Sequence, residues 1–178
     1  LLETHQWQSD GFQSIDRSDR DAGLDVADYM LKLSLAPDDS AHSIELKLQY
    51  AEQDSNQSYL GLSDVDFDAS AYRRYGISEL DNIHTEHEQV IVRYQYEFSD
   101  RMLISATAYN NEHERDWFKT EGVDLDGSAN AQEFSRSSWA NVVNAVNTNS
   151  NVDSFNASQL QAILDGTLDT APGSIQLR

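Results

Sequence analysis

Tyr72-Arg73-Arg74-Tyr75 packs two guanidinium groups between two phenol rings. Arginine's planar fork pairs with carboxylates two bonds at a time, and the tyrosines add flat contact area. The run therefore reads as a candidate contact for an anion. A second reading stands beside it: both arginines pair with Asp64, Asp66 and Asp68 of the same stretch. Those three aspartates alternate as some calcium loops do, but the Gly and terminal Glu of an EF-hand are missing at the required offsets. Asp124-Leu-Asp-Gly127 is shorter still. These acids read as solvated loop residues. His84, His87 and His113 are metal-ligand types, yet no two of them share the helical ligand spacing, so no metal is assigned. Ser137-Ser138 lacks a glycine elbow, and Gly61 and Gly76 form no phosphate cradle. No nucleophile, base and orienting group come together, so the chain reads as a non-enzyme.

The elements that must position these residues are strands. Ile44, Leu46, Leu48 and Tyr50 alternate with Glu45, Lys47 and Gln49. A strand sends successive side chains to opposite faces, so this is a ribbon with one apolar and one polar face. Tyr29, Leu31, Leu33 and Leu35 repeat the pattern, as do Val90, Val92, Tyr94, Tyr96 and Phe98. Residues 2–10 suit a strand of poorer alternation. Met102 to Asn110 suits another, with an ambiguous face, continuing to Trp117-Phe118. Ala36-Pro-Asp-Asp-Ser-Ala41 and Ser99-Asp100 supply short turns. Residues 10–25 and 56–86 read as long loops. Past residue 120 the two-residue period is lost. Ser137 to Asn147 suits a helix on Trp139, Val142, Val143 and Val146. Ala157 to Asp165 suits a second, with Gly166 at its stop.

Short turns alternating with long loops mark outer-membrane barrels. Tyrosines and Phe98 on the apolar faces suit an aromatic girdle. A soluble β-sandwich or barrel would also have one apolar face. Pattern alone does not say whether that face points in or out. Glu45, Lys47, Arg93, Gln95 and Glu97 would line a barrel interior.

Bulk composition narrows the partners. The 178 residues carry 31 acidic and 12 basic side chains, a formal charge of −19. That excludes the clustered Lys and Arg of a nucleic-acid binder. It also argues against a polybasic membrane anchor. With no cysteine, disulfide scaffolds and thiolate sites are out. No apolar run nears the ~20 residues of a spanning helix, which leaves barrel strands untouched. The opening Leu1-Leu2-Glu3 carries no secretion signal and reads as the start of a fragment or processed chain.

Tyr59-Leu-Gly-Leu-Ser-Asp-Val-Asp-Phe-Asp-Ala-Ser-Ala-Tyr-Arg-Arg-Tyr75 resembles a segment of TonB-dependent outer-membrane receptors of the ferric-citrate type. Ala51-Glu-Gln-Asp-Ser-Asn-Gln-Ser-Tyr59 matches the strand end that precedes it there. Ser9-Asp-Gly-Phe12, Asp28-Tyr-Met-Leu-Lys32, Ile44-Glu-Leu-Lys-Leu-Gln-Tyr50 and Thr107-Ala-Tyr-Asn110 look like the same group. The resemblance covers about residues 3–127. Ala71 departs from the proline usual at that place, and the plug domain and TonB-contacting box are not in this sequence.

The resemblance implies an all-β fold: an antiparallel up-and-down transmembrane β-barrel segment of about five strands. Long extracellular loops and short helices near the C-terminus complete it. It divides the chain into partial barrel (1–127) and a long, partly helical loop (128–178). It implies a receptor of the Gram-negative outer membrane that binds and imports ferric citrate or another ferric siderophore. That ligand is cargo, with no resident cofactor. TonB would act through the plug region, and the strands would meet outer-membrane lipid. Tyr72, Arg73, Arg74 and Tyr75 become the ligand-binding candidates. The alternative is a soluble acidic β-domain binding carbohydrate or protein. An enzyme such as a glycosidase with paired carboxylates ranks last.

Overall fold

The computed structural model describes residues 1–125, 138–168 and 175–177. The strands are β1 (Leu2–Ser9), β2 (Ser14–Ile15), β3 (Leu24–Leu35), β4 (His42–Ser55), β5 (Arg73–Arg74), β6 (Asn82–Ser99), β7 (Met102–Phe118), β8 (Thr120–Val123) and β9 (Ile175–Leu177). The helices are α1 (Asp64–Ala69), α2 (Trp139–Asn147) and α3 (Ala157–Leu164), with a 3-10 turn at Gly76–Ser78. The chain forms two units. The sheet unit holds Leu1–Ser9, Leu24–Asp54 and Ile83–Asp116. The loop unit holds Asp10–Gly23, Ser55–Asn82 and Trp117–Arg178. Segments before residue 127 thus contribute to both units.

The sheet unit is one antiparallel sheet of order β1-β3-β4-β6-β7. Sheet neighbours are successive long strands, as in an up-and-down meander. The sheet is open, with β1 and β7 as its edges. Alternation fixes its two faces. In the β1–β3 pair, Leu2 opposes Leu31 and Thr4 opposes Tyr29, while Glu3 opposes Met30 and His5 opposes Asp28. The strands also run longer than the alternating cores: β6 begins at Asn82, where its side chains are polar.

The polar face is internally paired. Lys32 Nζ lies 3.0 Å from Glu45 Oε2, and Arg93 lies 3.7 Å from Glu45 Oε1. Lys47 donates to Gln49 at 2.8 Å and to Gln89 at 2.9 Å. Gln49 donates to Asp28. The result is a polar ladder across β3, β4 and β6. The apolar face is bare. Leu33 is 52 % exposed, Ile44 45 % and Val90 41 %. No residue of the sheet unit is buried. Both faces of β7 are open, at Leu103 and at Ile104, so burial does not resolve its ambiguous alternation.

The molecule's buried residues lie in the loop unit. Tyr75, Val123, Leu125, Trp139, Val142, Ala145, Leu160 and Leu164 form one apolar cluster. Helical spacing supplies it: Trp139, Val142 and Ala145 from α2, Leu160 and Leu164 from α3. α3 is capped at both ends and α2 at its C-terminus. Asn156 and Gln159 make a reciprocal capping box on α3. Gly166, at φ +65°, ends α3 with Thr167 N–H bonded to Ala162 O and Gly166 N–H to Ile163 O. Asn149, at φ +52°, ends α2 the same way, through Ser150 to Ala145 and Asn149 to Val146. These are Schellman closures, which satisfy the orphan carbonyls of a last turn.

Candidate functional site in the loop unit

Residues 56–86 hold more regular structure than a loop. Ser63 caps α1: its side chain accepts from the Asp66 N–H, in a Ser-x-x-Asp arrangement. Six residues leave no room for a helical apolar period, which is why the sequence shows none. β5 then pairs in parallel with β2, setting Arg73 beside Ser14 and Arg74 beside Ile15. Each short element borrows its partners from far along the chain.

The candidate tetrad divides by burial. Arg73 faces three carboxylates: Asp16 at 2.9 Å, Asp66 at 2.5 Å and Asp165 at 2.7 Å. Its hydrogen bonds to Asp16 raise its pKa further above the ordinary range; burial opposes this, while Asp165 and Asp66 add to it. Arg74 is 3 % exposed. Its Nε donates to Ser78 Oγ at 2.7 Å, and its other nitrogens donate to the carbonyls of Asn56 and Ser78. Burial lowers its pKa, partly offset by the charge of Asp81. Tyr75 is fully buried; its hydroxyl donates to Asp66 Oδ2 at 2.5 Å and accepts from the Ser63 N–H at 3.0 Å. Burial and the Asp66 carboxylate push the Tyr75 phenol up to about 12. Tyr72 is exposed, edge-to-face with exposed Phe12 at 6.1 Å. Three of the four residues therefore spend their polar atoms inside the fold, and the arginine–aspartate pairing weighed from sequence is made through Asp66.

Asp66 is the hub. Burial raises its pKa, but hydrogen bonds from Tyr75, Gln161 and Ser63 and the charge of Arg73 outweigh that, and the net shift is downward. Asp64 accepts from the Asn147 amide, and Asp68 points to solvent. The aspartates therefore diverge around a helix instead of converging on a cation. Asp81 is also buried, accepting from Thr120 N–H, Thr120 Oγ1 and Ser58.

Two surface features carry no sequence signal. Lys119 lies over Tyr59 and Trp117, about 5 Å from each ring. A groove of about 320 Å³ is lined by Tyr59, Leu60, Gly61, Trp139, Val143 and Asn144. Both assemble from residues some 60 to 80 positions apart. His84, His87 and His113 lie on β6 and β7, with His87 and His113 edge-to-face at 5.9 Å. Ser138 forms an isolated bridge to Gly122. Ser137 and Asp126-Gly127 lie outside the described residues.

No family profile, no curated protein and no solved structure matches the chain.

Proposed function

We propose that this chain is a wall segment of a transmembrane β-barrel, from a TonB-dependent outer-membrane receptor importing a ferric chelate. The observation that carries the barrel part is the two-faced sheet unit, in which neither face is buried. Its polar face is hydrogen-bonded across three strands while its apolar face has nothing over it. Lipid outside and a polar lumen inside would account for both. The apolar face also has boundaries. Tyr29 and Tyr50 mark one level, and His42, stacked on Tyr96 at 4.6 Å, marks the other with Tyr94 and Phe98. Tyr50 to His42 spans eight residues of β4, about 27 Å at ~3.4 Å each. A tilt of about 40° brings the height to about 21 Å, near the ~25 Å apolar band of such barrels. An open edge cannot face lipid, so β1 and β7 would pair with further strands.

The receptor, TonB and iron parts rest on the resemblance alone. Arg73 would meet a ferric chelate only by exchanging its aspartates. Tyr72 and Phe12 are the accessible contacts.

The absence of cysteine makes the test simple. Single-cysteine variants Leu48→Cys, Val90→Cys, Lys47→Cys and Gln89→Cys are labelled with an environment-sensitive fluorophore in lipid vesicles. Labels at 48 and 90 are expected to be quenched from within the bilayer, and those at 47 and 89 from water. Equal aqueous quenching at all four positions removes the barrel reading. Ferric-citrate titration then checks the ligand: Tyr72→Ala is expected to weaken binding, and an unchanged affinity removes that residue.

A further inference from the structure

We propose that Glu52, His84 and Glu86 form a divalent-cation site on adjacent strands of the sheet, selective for a zinc-like ion. Their ligand atoms, one per side chain, all lie within 4.8 Å of one another. A tetrahedral zinc site with bonds of about 2 Å sets its donors roughly 3.3 Å apart. Glu52 lies on β4 and His84 and Glu86 on β6, so the donors stand on a hydrogen-bonded ladder instead of a loop. Each of the three is only partly exposed.

The imidazole is oriented for the role. His84 Nε2 lies 3.5 Å from Glu86 Oε1, and Nδ1 lies 3.5 Å from Asp54 Oδ2. An ion on Nε2 leaves the Nδ1 proton facing Asp54, the carboxylate–histidine–metal arrangement that fixes ring orientation and tautomer. One imidazole with two carboxylates suits zinc, with water completing four ligands. Magnesium and calcium prefer all-oxygen shells, so the nitrogen supplies the selectivity. All three donors belong to the sheet unit, and the Tyr50 hydroxyl donates to Glu52 at 3.2 Å beside them.

The test is zinc binding by equilibrium dialysis and calorimetry on the whole chain, with Zn²⁺ alone as probe and far-UV circular dichroism on every variant. One equivalent is expected. His84→Ala and the near-isosteric Glu86→Gln each weaken it at least 10-fold, and Asp54→Asn weakens it about 10-fold through ring orientation. The internal control is the other histidine pair: His87→Ala and His113→Ala leave affinity unchanged. The proposal is overturned if zinc does not bind, or if the loss follows His87 and His113. It is equally overturned if Ca²⁺ or Mg²⁺ at equal concentration displaces the zinc. If His84→Ala loses the sheet signal, Glu86→Gln and Asp54→Asn decide the outcome.

Discussion

Arg73 holds three carboxylates from three distant segments, and that makes it a structural keystone of the loop unit. Removing it leaves Asp66 buried without its cation. Arg73→Ala is expected to destabilise the loop unit by about 2–3 kcal/mol, toward the low end for a broken buried pair because Arg73 is partly solvated. Arg73→Lys keeps the charge, loses the fork and falls between. Urea titration followed by near-ultraviolet dichroism reads this, since Tyr75 and Trp139 touch edge-to-face at 5.4 Å. The same network sets two pH limits. Asp66 has a folded pKa below its ordinary value, so its contribution is present above that value and is lost as pH falls through the folded one. Tyr75 has a folded pKa raised to about 12, so its contribution is full below 10 and lost as pH rises toward 12. The urea midpoint is expected to fall at both ends, and Asp66→Asn to flatten the acid limb.

At the scale of elements, β4 and β6 each carry one polar and one apolar face. Ile44, Leu48 and Val90 stand bare, whereas Lys47, Gln49 and Gln89 bond to one another. A charge on the bare face is expensive only where acyl chains cover it. Val90→Arg is therefore expected to destabilise the vesicle-inserted sheet by about 2–4 kcal/mol. Gln89→Glu, one residue along and facing the other way, keeps an acceptor for Lys47 and is expected to change stability by less than about 0.5 kcal/mol. Denaturant-driven extraction from vesicles measures both. Equal small effects would place both positions in water. Gly11, at φ +79°, shows how tightly the loop unit closes: a Cβ there would collide with the Ala22 carbonyl oxygen.

For the whole molecule, the two units solve burial differently. The loop unit builds an ordinary core from α2, α3, Tyr75 and Val123. The sheet unit has two edges and no buried side chain. Exposed apolar area on that scale, in water, marks an interaction surface. The chain without detergent is expected to associate or to be cut by protease within residues 24–54 and 83–116. Detergent is expected to protect those segments. Size-exclusion chromatography with limited proteolysis reads the outcome, and a protease-resistant monomer in plain buffer would count against a lipid-facing sheet.

Alternation was enough to place β3, β4 and β6, because a period of two in side-chain direction is written directly into residue order, whereas β1 alternates poorly and the face of β7 stayed ambiguous. Helix α3 was legible too, through Leu160, Leu164 and the glycine at its stop. Sequence could not show which neighbours Arg73 and Arg74 would choose: Asp16 and Asp165 lie 57 and 92 residues away. It could not show α1, whose stability comes from a cap and from Gln161 and Tyr75 instead of a periodic face. Nor could it pair Glu52 with His84, since a cross-strand contact depends on register across a 26-residue connection. Local pattern follows from covalent geometry alone; the partners of a charge are settled only when the chain returns on itself.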